Sequence, residues 1–364
     1  MSAEKKLRIL HTEASMGWGG QEIRILTEAQ TFRAHEHEVL VAANAGSEIA
    51  ANAQRYGIPL TLLPLARRNV KSVVAVRRFL RQWEPDVVNT HSSLDGWLVA
   101  LARLRLVPCP RIVRTRHLSA AVPRNLASRW VYNRGADFVM TTGEAIVEGL
   151  ARDGFVPRER LAAVPTGIDA DVFKPGDKAA ARAALGLPQD KFLFGIVATL
   201  RSWKGHLVLL EALKQLGGPA AHVVIVGDGP MLPNIDKQIA ALGIGGQVTL
   251  TGRQPDVAEY LRALDVFVLP SYANEGVPQA LLQAIASGLP VITCPVGGIP
   301  EVARGLDTVT LVPPKDAAAL AEAMRAAMTN RPRHDQLDAA RQRIAAAYSR
   351  EVMYRRALRH YLGH

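Results

Sequence analysis

The sequence predicts an α/β protein made of two doubly wound, parallel-sheet domains of similar size. Three observations predict it. Short apolar runs bounded by turn residues alternate with amphipathic stretches of helical length, and the series occurs twice. A Pro/Gly/Asp-rich stretch, VPTGIDADVFKPGD at 164–177, breaks the rhythm near the middle. The 364 residues also suit two domains, at roughly 100–200 residues each.

Each element can be justified in order. LRILHTE, from Leu7, reads as the first strand. A Gly-rich turn leads into QEIRILTEAQTFRAH, where Ile23, Leu26, Ala29, Gln30 and Phe32 recur at helical spacing. Strands follow at HEVLVAA (from His37), PLTLLPL (from Pro59), PDVVNT (from Pro85), RIVRT (from Arg111) and DFVMTT (from Asp137). After the 164–177 connection, the expected hinge, a second series begins at KFLFGIVATL (from Lys191). It continues at HVVIVGDG (from His222), QVTLTG (from Gln247), DVFVLPS (from Asp265), LPVITCP (from Leu289) and TVTLVPP (from Thr308). Strands separated by helices in this way build parallel, Rossmann-like sheets. The expected boundaries are an N-terminal domain at 1–170, a C-terminal domain at 171–347 and a basic helical tail at 348–364. That tail either caps the second domain or lies across the first.

Composition narrows the class. Hydrophobic residues make up 48% and charged residues 21%, which fits a well-buried globular core. Cys109 and Cys294 lie far apart and form neither a disulfide framework nor a zinc spacing, as expected of a reducing cytoplasm. MSAEKKLRIL leads into no secretory h-region. LVALARLRLV, from Leu98, falls short of a membrane span because Arg103 and Arg105 break it. A cytoplasmic protein is expected, soluble or peripheral at the inner face of the membrane. The net charge of +11 is concentrated: residues 59–134 hold fourteen Lys/Arg against Glu84, Asp86 and Asp95. Such a face is either simply solvated or attracts an anionic membrane, an anionic acceptor or nucleic acid. Few aromatics interleave with these cations, which argues against single-strand nucleic-acid binding.

Three motifs carry chemistry. After strand one, Ser15-Met16-Gly17-Trp18-Gly19-Gly20-Gln21-Glu22 places glycines where a strand turns into a helix. Such a turn lets a ligand approach the backbone, and the helix N-terminus favours an anion, although a plain tight turn explains it equally well. Arg201-Ser202-Trp203-Lys204-Gly205 sets two cations between a strand end and a helix start, suited to a diphosphate. In Pro270–Gln283, a strand ending at Leu269 leads to Glu275 in a loop, with a helix starting near Pro278 as its first position. A carboxylate there can accept hydrogen bonds from vicinal hydroxyls.

With these motifs stated, the chain resembles the family 4 glycosyltransferases, whose architecture is GT-B: two Rossmann-like domains facing each other across a cleft. The resemblance is nearly full length. It runs in order through GWGGQE, VVNTH to His91, RTRH to His117, VPTGIDADVF, RSWKGH, VGDGP, TGRQPDV, DVFVLPSYANEGVPQALLQAIASGLPVI and VGGIPE. Within the family it is similar to bacterial enzymes of lipopolysaccharide and surface-polysaccharide synthesis.

The resemblance implies a retaining hexosyl- or N-acetylhexosaminyltransferase that needs no metal or cofactor. Its co-substrate would be a nucleotide-diphosphate sugar, by default a UDP-sugar, and its acceptor a glycan or lipid-linked glycan. It implies donor contacts from Gly19, Gly20, Arg201, Lys204, Arg253, Glu275, Gly276, Val277 and Gln283. His117, Glu275, Arg201 and Lys204 would take part in the reaction, with His91 and Arg116 on the acceptor side. His11 and His206 read as structural. Two positions depart from the family: Gln283 stands for a usual glutamate and Thr199 for a usual arginine. Arg201, two residues on, would substitute, because alternate side chains of a strand share a face. A sugar-nucleotide epimerase of the same fold, or a binding-only relative, are the rival readings.

Overall fold

The first sheet has seven parallel strands: β1 (Arg8–Glu13), β2 (Glu38–Ala43), β3 (Leu60–Leu62), β4 (Val87–Thr90), β5 (Arg111–Arg116), β6 (Phe138–Thr141) and β7 (Leu161–Ala163). Their order is β3-β2-β1-β4-β5-β6-β7. The second sheet has six: β8 (Phe192–Val197), β9 (Ala221–Val226), β10 (Val248–Leu250), β11 (Val266–Leu269), β12 (Val291–Thr293) and β13 (Val309–Leu311), in the order β10-β9-β8-β11-β12-β13. All of these come from a computed structural model that describes residues 5–364. Met1–Glu4, the start of the segment read above as lacking a leader, lie outside the described residues.

Every apolar run read as a strand is one. Only β7 went unread: it is three residues long, Leu-Ala-Ala, and carries no β-branched or aromatic residue. The central strands are buried almost throughout, as the six consecutive buried residues of β9 show. Buried parallel strands read as near-continuous hydrophobic runs for this reason.

The chain forms two compact units, Met1–Gly167 with Arg350–His364, and Ile168–Ser349. The tail helix, Arg350–Leu362, belongs to the first unit. Met353, Tyr354, Ala357, Leu358 and Tyr361 are its buried stripe. Tyr354 and Tyr361 pack on Phe32 with ring centroids 4.8 and 5.1 Å away. Arg111 Nε donates to the His360 carbonyl at 2.8 Å.

In each sheet the strand order reverses once between strands that leave in opposite directions, at β1/β4 and at β8/β11. Crevices outside the carboxyl ends of strands open at such switch points.

Candidate functional site

In the first unit, β1 ends at Glu13 and the chain turns through Gly17, Gly19 and Gly20 into the Gly20–Ala34 helix. No side chain caps that helix, and its N-cap is Gly19. A Cβ at Gly20 would meet nothing within 4 Å. Internal packing therefore does not require glycine there. Beside the turn, Glu13 accepts from the Ser15 N–H at 2.7 Å and from the Gln21 amide. Burial, reinforced by the neighbouring Asp95 carboxylate, pushes the Glu13 carboxyl up to about 8.

The same end of the sheet carries three linked imidazoles. His11 Nδ1 lies 2.9 Å from His91 Nε2, and His91 Nδ1 lies 3.0 Å from His117 Nε2. His91 is anchored by Asp95, which accepts its backbone N–H at 2.9 Å as well as the Thr12 hydroxyl at 2.7 Å. Burial lowers His11 to about 4 and His117 to about 3, and holds His91 well below the usual range. All three are neutral at pH 7. Both ring nitrogens of His91 are thus engaged by the neighbouring imidazoles. Arg116 donates to Tyr132 Oη at 3.2 Å and to the Ala120 carbonyl.

In the second unit, β8 and β11 each run into a loop. Lys204 sits in the first loop and Glu275 in the second, and Lys204 Nζ donates to Glu275 Oε1 at 2.6 Å. The loops are tied together: the Tyr272 N–H donates to the Trp203 carbonyl at 2.8 Å. Gly205, at φ +78°, presses on the Pro270 carbonyl, where a Cβ would come within 2.1 Å. Gly297, at φ +58°, does the same to the Glu275 carbonyl at 2.0 Å. The VGGIPE motif, read only as a family marker, therefore holds the Glu275 loop. Its signal was the adjacent glycine pair, whose partner could not be known before the fold.

Gly276 and Val277 follow Glu275 in the same loop. Gly276 accepts from the Gly298 N–H at 3.0 Å. Val277 is buried, and Gln283 is buried on the Gln279–Ala286 helix. Arg253 is exposed in the loop after β10. Pro278 is the N-cap of that helix rather than its first residue, because its ψ of 124° is extended. The face argument for Arg201 also needs correcting. β8 ends at Val197, so strand alternation does not reach residue 201. Arg201 is exposed, with its guanidinium 5.9 Å from the Trp203 ring centroid. Asp169-Ala170-Asp171 has an Asp-x-Asp spacing, but Asp169 Oδ1 accepts from the N–H groups of Asp171 and Val172 in a turn. Among the described residues, no three His, Cys, Asp or Glu side chains come together as a metal-binding group.

The fourteen basic residues at 59–134 do not make one face. Arg103 is bidentate on Asp137 at 3.0 Å, and Arg114 is buried over the Tyr132 ring. Arg77 and Arg124 donate to carbonyls at the C-terminal ends of the Ser93–Ala102 and Glu144–Ala151 helices, where cations are favoured. An exposed basic group remains at Arg67, Arg68, Lys71, Arg78 and Arg81, on and just before the Val70–Trp83 helix. Val70 and Val74, 79% and 50% exposed, lie among them. No described helix is long and apolar enough to cross a membrane.

Comparison with known families decides the membership. The profile of Glycosyltransferase Family 4 matches residues 18–172, and that of Glycosyl transferases group 1 matches residues 177–344. The chain belongs to the family 4 glycosyltransferases. A family relative, the D-inositol 3-phosphate glycosyltransferase of Mycobacterium tuberculosis, is 31% identical over 307 residues, covering 76% of this chain. The chain spans 62% of the length of that relative. Anabaena HepE in complex with UDP-glucose superposes with a TM-score of 0.87 at 20% identity, covering 98% of this chain and all of that one. A glycosyltransferase from Rickettsia africae superposes at 0.86, also at 20% identity, with 98% of both chains covered. These likenesses show the fold, which is GT-B.

Proposed function

We propose that the chain is a retaining glycosyltransferase. It would move a hexose or N-acetylhexosamine from a nucleotide-diphosphate sugar, by preference a UDP-sugar, to a lipid-linked or lipopolysaccharide-type acceptor. The observation that carries this reading is the Lys204–Glu275 pair at the β8/β11 switch point. It sets a cation suited to a diphosphate against a carboxylate suited to sugar hydroxyls.

In this reading Lys204 and Arg201 take the diphosphate, Glu275 holds hydroxyls of the transferred sugar, and Gln283 bonds the ribose. In the first unit, Gly19 and Gly20 leave backbone N–H groups at an uncapped helix start open to an anionic group of the donor. The acceptor hydroxyl oxygen attacks the anomeric carbon as the bond from that carbon to the phosphate oxygen breaks. The hydroxyl proton passes to the departing phosphate oxygen. Lys204 and Arg201 stabilise the charge that develops on the leaving group, in the manner of preorganised donors. No metal has a part in this scheme. The exposed basic and apolar start of the Val70–Trp83 helix would rest on an anionic cytoplasmic leaflet, where a lipid-linked acceptor resides.

The test incubates the chain with UDP-, GDP- and ADP-sugars and a panel of lipid-linked acceptors, with and without EDTA. The reading predicts one transferred sugar, with its anomeric configuration kept, whose rate EDTA leaves unchanged. Free epimerised sugar nucleotide with no transfer would replace it with the epimerase reading.

A further inference from the structure

His11, His91 and His117 are 106 residues apart at their extremes, yet form one diagonal across three adjacent strands. His11 in β1 pairs with Asn89 in β4, and His91 lies two residues beyond Asn89. Asn89 pairs with Val113 in β5, so the same register sets His91 beside Thr115, and His117 lies two residues beyond that. Side chains two apart share a face of a sheet. Each step sideways is thus also a step of two residues forward, and diagonal neighbours lie within reach of long side chains.

The hydrogens of this chain are not independent. Each neutral imidazole carries one N–H and one lone pair, and each ring-to-ring bond needs one of each. If His91 donates from Nδ1 to His117, its bare Nε2 must accept from His11 Nδ1–H, and His11 Nε2 is bare. If His91 donates from Nε2, every hydrogen reverses and His11 Nε2 carries one. The end atom decides. His11 Nε2 is buried with no hydrogen-bond partner among the described residues. A buried N–H without an acceptor is the rarer and costlier state. The charges facing His11, Glu28 and Arg24, are ion-paired with each other at 2.9 Å, and neither forms a hydrogen bond with its ring. The first arrangement therefore holds.

We propose that His11 and His91 are positioning residues that fix His117 as its Nδ1–H tautomer, so that His117 donates a hydrogen bond to a substrate oxygen and does not act as a base. Tyr361 extends the support: its hydroxyl donates to Glu28 and accepts from Asn89 Nδ2 at 2.7 Å. Asn89 Oδ1 in turn accepts from Thr115 at 2.8 Å. The identity of the substrate oxygen rests on the glycosyltransferase reading, but the tautomer does not.

The experiment is ¹⁵N NMR of the full chain labelled at histidine, at pH 7 and without ligand, with His117 assigned from His117→Asn. The expected spectrum shows His117 protonated at Nδ1 and bare at Nε2. Protonation at Nε2 overturns the proposal whether or not the chain transfers sugar. In His11→Asn the side-chain amide can present either its N–H or its carbonyl to His91 Nε2, so the bias is removed and His117 should become a mixture of tautomers. Turnover should fall in proportion to the lost Nδ1–H fraction, about twofold for an even mixture, with donor KM unchanged. An unchanged His117 tautomer in a folded His11→Asn chain contradicts the proposal. A second pair of variants bypasses His11: His117→Asn, which keeps an N–H donor near Nδ1, should retain more turnover than His117→Ala, and equal losses contradict the donor role. Absence of any transfer by the wild type, with Nδ1 protonated, refutes the glycosyltransferase reading and leaves the relay standing.

Discussion

Lys204 Nζ donates to Glu275 Oε1 across 2.6 Å, joining the loop after β8 to the loop after β11. Their side chains are 18% and 6% exposed, so each is the main counter-charge of the other. Lys204→Met leaves a buried carboxylate unpaired and should lower the stability of the chain by about 1–3 kcal/mol in urea unfolding. Lys204→Met with Glu275→Gln should recover part of that loss, because no uncompensated charge remains. In transfer assays Lys204→Ala should cost on the order of 2–4 kcal/mol of transition-state stabilisation. Unchanged turnover at saturating donor contradicts the phosphate role.

Gly20 and Gly297 separate ligand approach from internal packing. Gly20→Ala meets nothing within 4 Å, so its unfolding free energy should stay within about 0.5 kcal/mol of wild type, while donor affinity falls. Gly297→Ala forces a Cβ to within 2.0 Å of the Glu275 carbonyl at a left-handed φ. It should lower stability by more than about 1 kcal/mol and donor affinity with it. Calorimetric unfolding and donor titration of both variants check the contrast.

Buried titratable groups in the first unit predict a stability maximum in pH. His11, His91 and His117 have folded pKa values below their ordinary 6.5. The unfolded chain therefore binds more protons on acidification, and stability falls as pH drops from about 6.5 toward 4. Glu13 has a folded pKa raised to about 8 from 4.5. The unfolded chain loses that proton first, so stability falls as pH rises from about 4.5 toward 8. Glu13→Gln should flatten the fall above about pH 6.5 and steepen the rise between about pH 4.5 and 6.5 of a Tm profile.

The exposed basic group on the Val70–Trp83 helix predicts binding to anionic vesicles. At about 1 kcal/mol per basic residue, Arg67→Glu, Lys71→Glu and Arg78→Glu together should reduce partition into phosphatidylglycerol vesicles on the order of a hundredfold. Val70→Asp should reduce it without altering transfer to a water-soluble acceptor. Co-sedimentation at low and high salt measures both.

Much of this was legible before the fold. Buried parallel strands are apolar along their whole length, so twelve of the thirteen could be read, and the loops after them carry Gly19, Lys204 and Glu275. The switch points that gather those loops follow from strand order, which no local pattern encodes. The histidine chain was hidden for the same reason. His11, His91 and His117 each end or nearly end an apolar run, but only the register of β1, β4 and β5 brings them together. The charge excess misled for another reason: an arginine that caps a helix carbonyl, like Arg77 or Arg124, has the same sequence signature as one in solvent.

The most direct test is a thermal-shift titration of the full chain with UDP, GDP and ADP and their sugars, repeated in Glu275→Ala. A ligand that binds only the folded chain stabilises it by RT ln(1 + [L]/Kd), about 2.7 kcal/mol at a hundred times Kd. The account predicts that one nucleotide raises the midpoint, and that its sugar form adds a further rise which Glu275→Ala removes. No shift from any of them at millimolar ligand, or a sugar-dependent shift that survives in Glu275→Ala, would contradict it.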